Sequence, residues 1–192
     1  MLDQANDRSR ALATLTSAFA ADPVERWLWP NDDQYAEHFA EFAGVFADAG
    51  VDSSTAWQLE DYAAVALWLA PGIAPDPERI GAVLRSTVAT DKHEDMFAVL
   101  EQMEAVHPKY PHWYLPWLGV DASHRGKGLG GSLLERCLEY VDSSQLPVFL
   151  EAPNPRTIPF YERHGFEVQA QAQSGSCPPV ALMLRAGALR GE

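Results

Sequence analysis

The chain has 192 residues, 47% of them hydrophobic, with six Trp, eight Phe and six Tyr, enough to bury a substantial core within one domain. Its 27 acids against 14 bases give a formal net charge of −13, which argues against nonspecific nucleic-acid binding and against adhesion to an anionic membrane. No apolar run approaches the roughly 18 to 20 residues that cross a bilayer, and 1–7 lacks the basic and then apolar pattern of a leader, so a soluble, cytoplasmic protein is expected.

In chain order, 7–21 and 34–49 carry apolar residues at helical spacing, Leu12, Leu15 and Phe19 in the first and Tyr35, Phe39, Phe42 and Phe46 in the second. Asp22-Pro23 and Trp29-Pro30-Asn31-Asp32 read as breaks. Segments 54–60 and 62–69 read as two short strands around a Glu60-Asp61 turn, and the proline-rich 71–77 ends that unit. A helix in two pieces is predicted over 77–106, the pieces meeting near Thr90-Asp91, where either residue can cap the second.

After the proline-broken 107–112 come a strand over 113–120, a glycine-rich loop and a helix to about Val141. A strand over 147–151, a short helix ending at Gly165 and closing strands at 166–173 and 179–184 complete the chain. Pro155 suits a first helical turn and Pro159 does not suit an interior, so the short helix is placed to start near Ile158. Cys137 falls in a helical pattern and reads as a small buried apolar residue. Neither the two cysteines, Cys137 and Cys177, nor the six histidines show metal-ligand spacing, so no metal is expected.

The most informative segment is the loop between the strand at 113–120 and its helix, Arg125-Gly126-Lys127-Gly128-Leu129-Gly130-Gly131. Glycines there let bare backbone N–H groups face outward at the positive end of a helix dipole, which is a phosphate-binding arrangement. A Walker A loop requires a hydroxyl residue after its lysine, and Lys127 is followed by Gly128. A dinucleotide fingerprint is formally met by Gly126, Gly128 and Gly131, with Glu151 about 20 residues on as a ribose-binding acid. Against it, 121–125 separate the strand from its first glycine, and about 60 residues after Gly131 are too few to complete a doubly wound sheet.

The third pattern, [QR]-x-x-G-x-[GA], is met in full by Arg125-Gly126-Lys127-Gly128-Leu129-Gly130, and here the chain resembles the GNAT acyl-coenzyme A acyltransferases. A second block, Asn154 through Tyr161 to Gly165-Phe166, is similar to the family's N-x(6)-Y-x(3)-G-F segment. The stretch from Trp113 to Arg163, with an echo at Ala18-Phe19-Ala20-Ala21-Asp22-Pro23, looks most like the puromycin N-acetyltransferase branch.

The resemblance implies an α/β fold: a central, mostly antiparallel twisted sheet, splayed between its fourth and fifth strands to admit a pantetheine arm, with helices on its flanks. In one GNAT domain over 1–192, the acceptor side would be 1–112, the acetyl-coenzyme A core 113–166 and a closing hairpin 167–192. The first strand is expected to be truncated, since 1–6 is too short and polar, leaving an open edge on the second. Pro116 or Gly119 is expected to mark the bulge beside the splay.

Acetyl-coenzyme A as co-substrate is implied, with its pyrophosphate on the loop amides of Arg125, Gly126, Lys127, Gly128, Leu129, Gly130 and Gly131. Its pantetheine would pair with the backbone of Leu118, Gly119 and Val120, near Asn154. His124, Arg125, Lys127, Arg136, Arg156 and Arg163 make a basic patch for it in an otherwise acidic protein. Tyr161 is implied to serve the departing thiolate.

Glu151, at the exit of the fifth strand, is the tentative base for the attacking amine or else a cap for the next segment; Tyr114, His112, Glu104 or a water chain are its competitors. Trp27 and Trp29, with Tyr114, are expected at the acceptor site. The implied activity is direct acetyl transfer to a primary amine of a small molecule by a protein for which a homodimer is an expectation and nucleic-acid or membrane binding is not. A nicotinamide-dinucleotide enzyme, or a non-catalytic acyl-coenzyme A sensor on the same fold, are the alternatives.

Overall fold

The computed structural model describes residues 2–52 and 54–187. One seven-stranded sheet organises them in the order β1 (Asp3–Gln4), β2 (Ala56–Leu59), β3 (Ala64–Leu69), β4 (Trp113–Val120), β5 (Val148–Ala152), β7 (Val180–Arg185), β6 (Glu167–Ala172). Every neighbouring pair is antiparallel except β4 with β5. The helices are α1 (Arg8–Phe19), α2 (Pro23–Leu28), α3 (Asp32–Asp52), α4 (Pro77–Thr87), α5 (His93–Val106), α6 (Leu129–Val141) and α7 (Ile158–Glu162).

Burial follows the apolar periodicities. Along α6, Leu129, Leu133, Leu134, Cys137, Leu138 and Val141 form one buried stripe that packs with Trp68, Trp113 and Leu150. Burial pushes the Cys137 thiol up to about 12, so it stays protonated and inert. On the other face, Leu12 and Leu15 of α1 and Phe39, Ala43 and Phe46 of α3 pack with Val65, Leu67, Leu69 and Trp117. Covered from both sides, β3 is buried at every position, and so its sequence is an unbroken apolar run rather than an alternation.

The first strand is truncated but present: Asp3 and Gln4 pair with Gln58 and Trp57, so β2 is partly covered rather than wholly open. Asp22-Pro23, read from the sequence as a break, opens α2 instead. The Asp22 carboxylate accepts from the Val24 and Glu25 amides at 3.0 and 3.3 Å, and Pro23 takes the first turn, where no N–H is needed. Neither Thr90 nor Asp91 caps α5; a 3₁₀ turn over Thr90–Lys92 leads into it without a side-chain cap.

Candidate active site

β4 and β5 pair only at Trp113–Val148 and Tyr114–Phe149, after which the parallel ladder ends. In the same place the register of β4 on β3 slips. Leu67 pairs with Trp117 but Leu69 with Tyr114, so β4 has one extra residue across Leu115-Pro116. Of the two expected markers, Pro116 is at the bulge and Gly119 is not, because Gly119 pairs in register with Val65. Gly119 has a packing role: a Cβ there would lie 2.7 Å from the Cβ of Ala18 and 2.9 Å from Leu15, so only glycine lets α1 seat on β4.

Beyond β4, Asp121 folds the chain into a 3₁₀ turn over Ala122–His124 before the glycine loop starts. Hydrogen bonds from the hydroxyls of Ser123 and Ser17 hold its carboxyl well below the usual carboxylate range. Gly126 and Gly128 have φ of 78° and 77°, the left-handed region, and a Cβ at either would meet nothing within 4 Å. Gly128 is the N-cap of α6, so the loop amides stand at a thirteen-residue helix's positive end on an open surface. Gly130 approaches Val120 and Gly131 approaches Phe160, which tucks the loop between β4 and α7.

Lys127 and Arg125 are both exposed, and the Arg125 guanidinium donates to the carbonyls of Ala18 (2.6 Å) and Ser17 (3.5 Å) at the end of α1. The sheet's antiparallel order removes the dinucleotide reading of Gly126, Gly128, Gly131 and Glu151, which needs a parallel doubly wound sheet.

Where the strands part, a cavity of about 130 Å³ is lined by Tyr114, Pro116, Trp117 and Leu118 of β4, Glu151 of β5, and Asn154 and Tyr161 beyond it. Five of the expected residues, Tyr114, Leu118, Glu151, Asn154 and Tyr161, thus meet in one space. Burial, and secondarily the Asp22 charge, raises the Tyr161 phenol far above its ordinary range. It therefore keeps its proton as a hydrogen-bond donor. Asn154 caps the 3₁₀ turn over Pro155–Thr157, its Oδ1 accepting from the Arg156 amide at 3.1 Å, and lines the cavity as well. The short helix starts at Ile158, as Pro159 requires.

Glu151 has 11% of its side chain exposed. Tyr114 donates its hydroxyl to it, and burial first, then the Glu151 charge, pushes the Tyr114 phenol well above its ordinary range. Tyr114 is therefore a fixed donor that orients Glu151 and not a competing base. Glu104 is not one either, since it pairs with Lys109 at the surface. Sequence reasoning missed His107, at the C-cap of α5, whose Nδ1 is 3.8 Å from Glu151 Oε1. Its Nε2 is 3.0 Å from Nε2 of His112. Five residues across a proline-broken turn give no periodic signal, and only the fold brings these rings to β5.

The acceptor side differs most from expectation. Trp29 is buried in the core, its ring against Phe42 and its Nε1 donating to Thr87 at 3.1 Å. Trp27 donates to Ser176 at 3.1 Å and is stacked by the Lys92 ammonium. Neither lines the cavity; their positions near prolines follow from the α2 to α3 connection, and core packing satisfied their indoles. Tyr114 does line it. The remaining wall is Phe19, Asp22, Phe42, Phe46, Met103, Pro153, Thr157 and Val180, with Asp22 the only acid besides Glu151 among the described lining residues.

Burial raises the Asp22 carboxyl to about 6 from 3.8, against the pull of its two capped amides. Next to it Glu25 is fully buried, with Oε2 unpaired and its carboxyl pushed well above the ordinary range by burial and then by Asp22. A folded-state value above the unfolded one means that the folded chain binds the extra proton, so Asp22 lowers stability as pH rises from about 4 to 6, by roughly 2 to 3 kcal/mol once ionised. Asp22→Asn keeps the Oδ1 cap and removes the ionisation. It should melt above the parent at pH 7 and with it below about pH 3.5. Circular-dichroism melts at the two pH values check this, and an equal shift at both would reduce Asp22 to a packing residue.

Among the described residues, no group of three or more His, Cys, Asp or Glu side chains is placed to hold a metal ion. The sequence pattern of the acetyltransferase (GNAT) family matches residues 12–166, and the chain belongs to this family. It is 27% identical to an uncharacterized N-acetyltransferase, C550.08, of Schizosaccharomyces pombe, over 95% of this chain and 81% of that protein.

The fold is shared with a histone acetyltransferase HPA2 and related acetyltransferase of Corynebacterium glutamicum, at a TM-score of 0.64 and 23% identity, over 100% of this chain and 97% of that one. It is also shared with the polyamine N-acetyltransferase of Drosophila melanogaster, which forms N-acetylagmatine, at a TM-score of 0.68 and 15% identity, over 97% and 99% of the two chains.

Proposed function

We propose that the protein transfers an acetyl group from acetyl-coenzyme A to a primary amine of a small cationic molecule, by direct attack with both reactants in the β4–β5 cleft. The observation that carries this reading is the meeting of Glu151 and Tyr161 in one cavity at the point where the parallel ladder stops. Acetyl-coenzyme A, which family membership implies, supplies an acetyl thioester and a thiolate leaving group. The residues fit it. The Gly126–Gly128 loop leaves open space before α6 where a Cβ would otherwise stand, and exposed Lys127 adds positive charge to the helix end. The β4 backbone from Leu118 to Val120, past its last pairing with β5, is available to an extended arm.

Within this site Glu151 takes the proton of the acceptor ammonium, and Tyr161 donates a hydrogen bond to the sulfur as charge develops there. Asp22, buried yet ionised at neutral pH, favours a cationic acceptor, since an ammonium offsets the desolvation of a buried carboxylate. The agmatine activity named for the Drosophila relative supports small amines as the class. The resemblance of 113–163 to the puromycin N-acetyltransferase branch supports an amine borne on a nucleoside as a narrower candidate.

Free-thiol release across a panel of agmatine, polyamines, arylalkylamines and aminonucleosides, with acetyl-coenzyme A, tests the reading. Release above the amine-free rate with one class is expected. Tight coenzyme A binding by calorimetry with no amine-dependent release would replace the enzyme by an acyl-coenzyme A sensor.

A further inference from the structure

We propose that His107 and His112 form a two-imidazole relay that carries a proton from Glu151 to the protein surface in each turnover. The inference rests on the acetyl-transfer reading above and adds to it the route by which the base is reset. Proton balance creates the need. As the N–C bond forms and the thioester C–S bond breaks, an alkylammonium loses two protons to become an amide; one leaves with the thiolate as thiol, and no electrons are exchanged. The other must reach bulk water. Glu151, the proposed acceptor of that proton, has only 11% of its side chain exposed.

The hydrogen bonds fix the direction of the chain. The Tyr110 carbonyl, 2.8 Å from His112 Nδ1, can only accept, so Nδ1 of His112 carries a hydrogen and its Nε2 is bare when the ring is neutral. His107 Nε2, 3.0 Å away, then donates to it, which leaves His107 Nδ1 bare and facing Glu151 Oε1 at 3.8 Å. At 3.8 Å the two acceptors stand too far apart for a direct hydrogen bond, so the proton crosses between them through one bridging water. When a proton enters at His107 Nδ1, the Nε2 hydrogen passes to His112, which becomes the imidazolium next to exposed Tyr110 and can release its Nδ1 hydrogen to water; solvent-mediated tautomer exchange then returns the hydrogens to His107 Nε2 and His112 Nδ1 for the next turnover.

The surroundings hold the rings in place. His107 packs edge-on against Phe149, Tyr114 and His112, with centroids at 4.7, 5.0 and 4.9 Å. Facing the pair are Glu151 from β5, Tyr114 from β4, whose hydroxyl is committed to Glu151, and the Tyr110 carbonyl. Of the other nearby charges, Glu104 and Lys109 pair with each other. Burial, the largest cause, and the neighbouring His107 hold the His112 pKa below its ordinary value, so that ring passes a proton on rather than retaining it.

Two measurements test the relay. Nitrogen-15 NMR of the imidazoles in the protein alone at neutral pH should show the Nδ1–H tautomer for His112 and the Nε2–H tautomer for His107; any other pairing overturns the relay whether or not an amine is acetylated. In dilute buffer, His112→Ala should lower kcat by about 10-fold or more, and added imidazole should restore most of the loss while leaving the parent unchanged. An unchanged kcat, or a loss that imidazole does not repair, overturns it. The expected tautomers in a parent that acetylates no amine would instead sink the acetyl-transfer reading, and the relay's role with it.

Discussion

Glu151→Gln should lower kcat by about 10²- to 10⁴-fold, the range for loss of a positioned general base, while coenzyme A affinity stays within a few-fold of the parent. Glutamine fills the same volume and keeps an oxygen for the Tyr114 hydroxyl, but its amide cannot take the ammonium proton. Melting temperatures of parent and variant, read beside kcat, separate this outcome from a structural role. The latter predicts lower thermal stability together with the loss of rate. A kcat within a few-fold of the parent removes Glu151 from the chemistry.

Gly128→Glu should weaken coenzyme A binding by about 100-fold or more. Left-handed backbone costs an L-residue roughly 1 to 2 kcal/mol, which alone is enough to displace the loop, and the new carboxylate would hold the anion seat at the start of α6. The fold itself should tolerate the change, because the added Cβ enters open space and an acid at a helix N-terminus favours the helix. Titration calorimetry with coenzyme A, on a variant whose melting temperature is close to that of the parent, reads the effect. Parent-like binding would move the cofactor away from this loop.

What the sequence made legible was local. The limits of β4 and the start of α6 follow from an apolar run meeting a glycine loop, and the Ile158 start of α7 follows from the covalent constraints of two prolines. The cleft residues Asn154 and Tyr161 lie in one motif, within a few residues of each other, so their meeting needed no knowledge of tertiary packing. Asp22 was legible as a turn acid and illegible as a cavity wall, since α1 and α2 must first be laid across β4. The same holds for His107, whose partner Glu151 is 44 residues away in sequence. Trp27 and Trp29 failed for the opposite reason: aromatic residues near prolines suit a pocket rim and a core equally, and indole donors at Ser176 and Thr87 decided for packing.

Pro116 has a consequence for how the cleft persists. A gap in a hydrogen-bonded ladder is ordinarily an invitation, because strands that come within reach tend to zip. Proline brings no N–H to either neighbouring strand, and the extra residue beside it throws β4 out of step with β3. The opening is therefore written into the covalent chain and needs no bound molecule to prop it apart. Such a protein meets its ligands with the door already ajar, and the free energy of binding is not diverted into prying a sheet open.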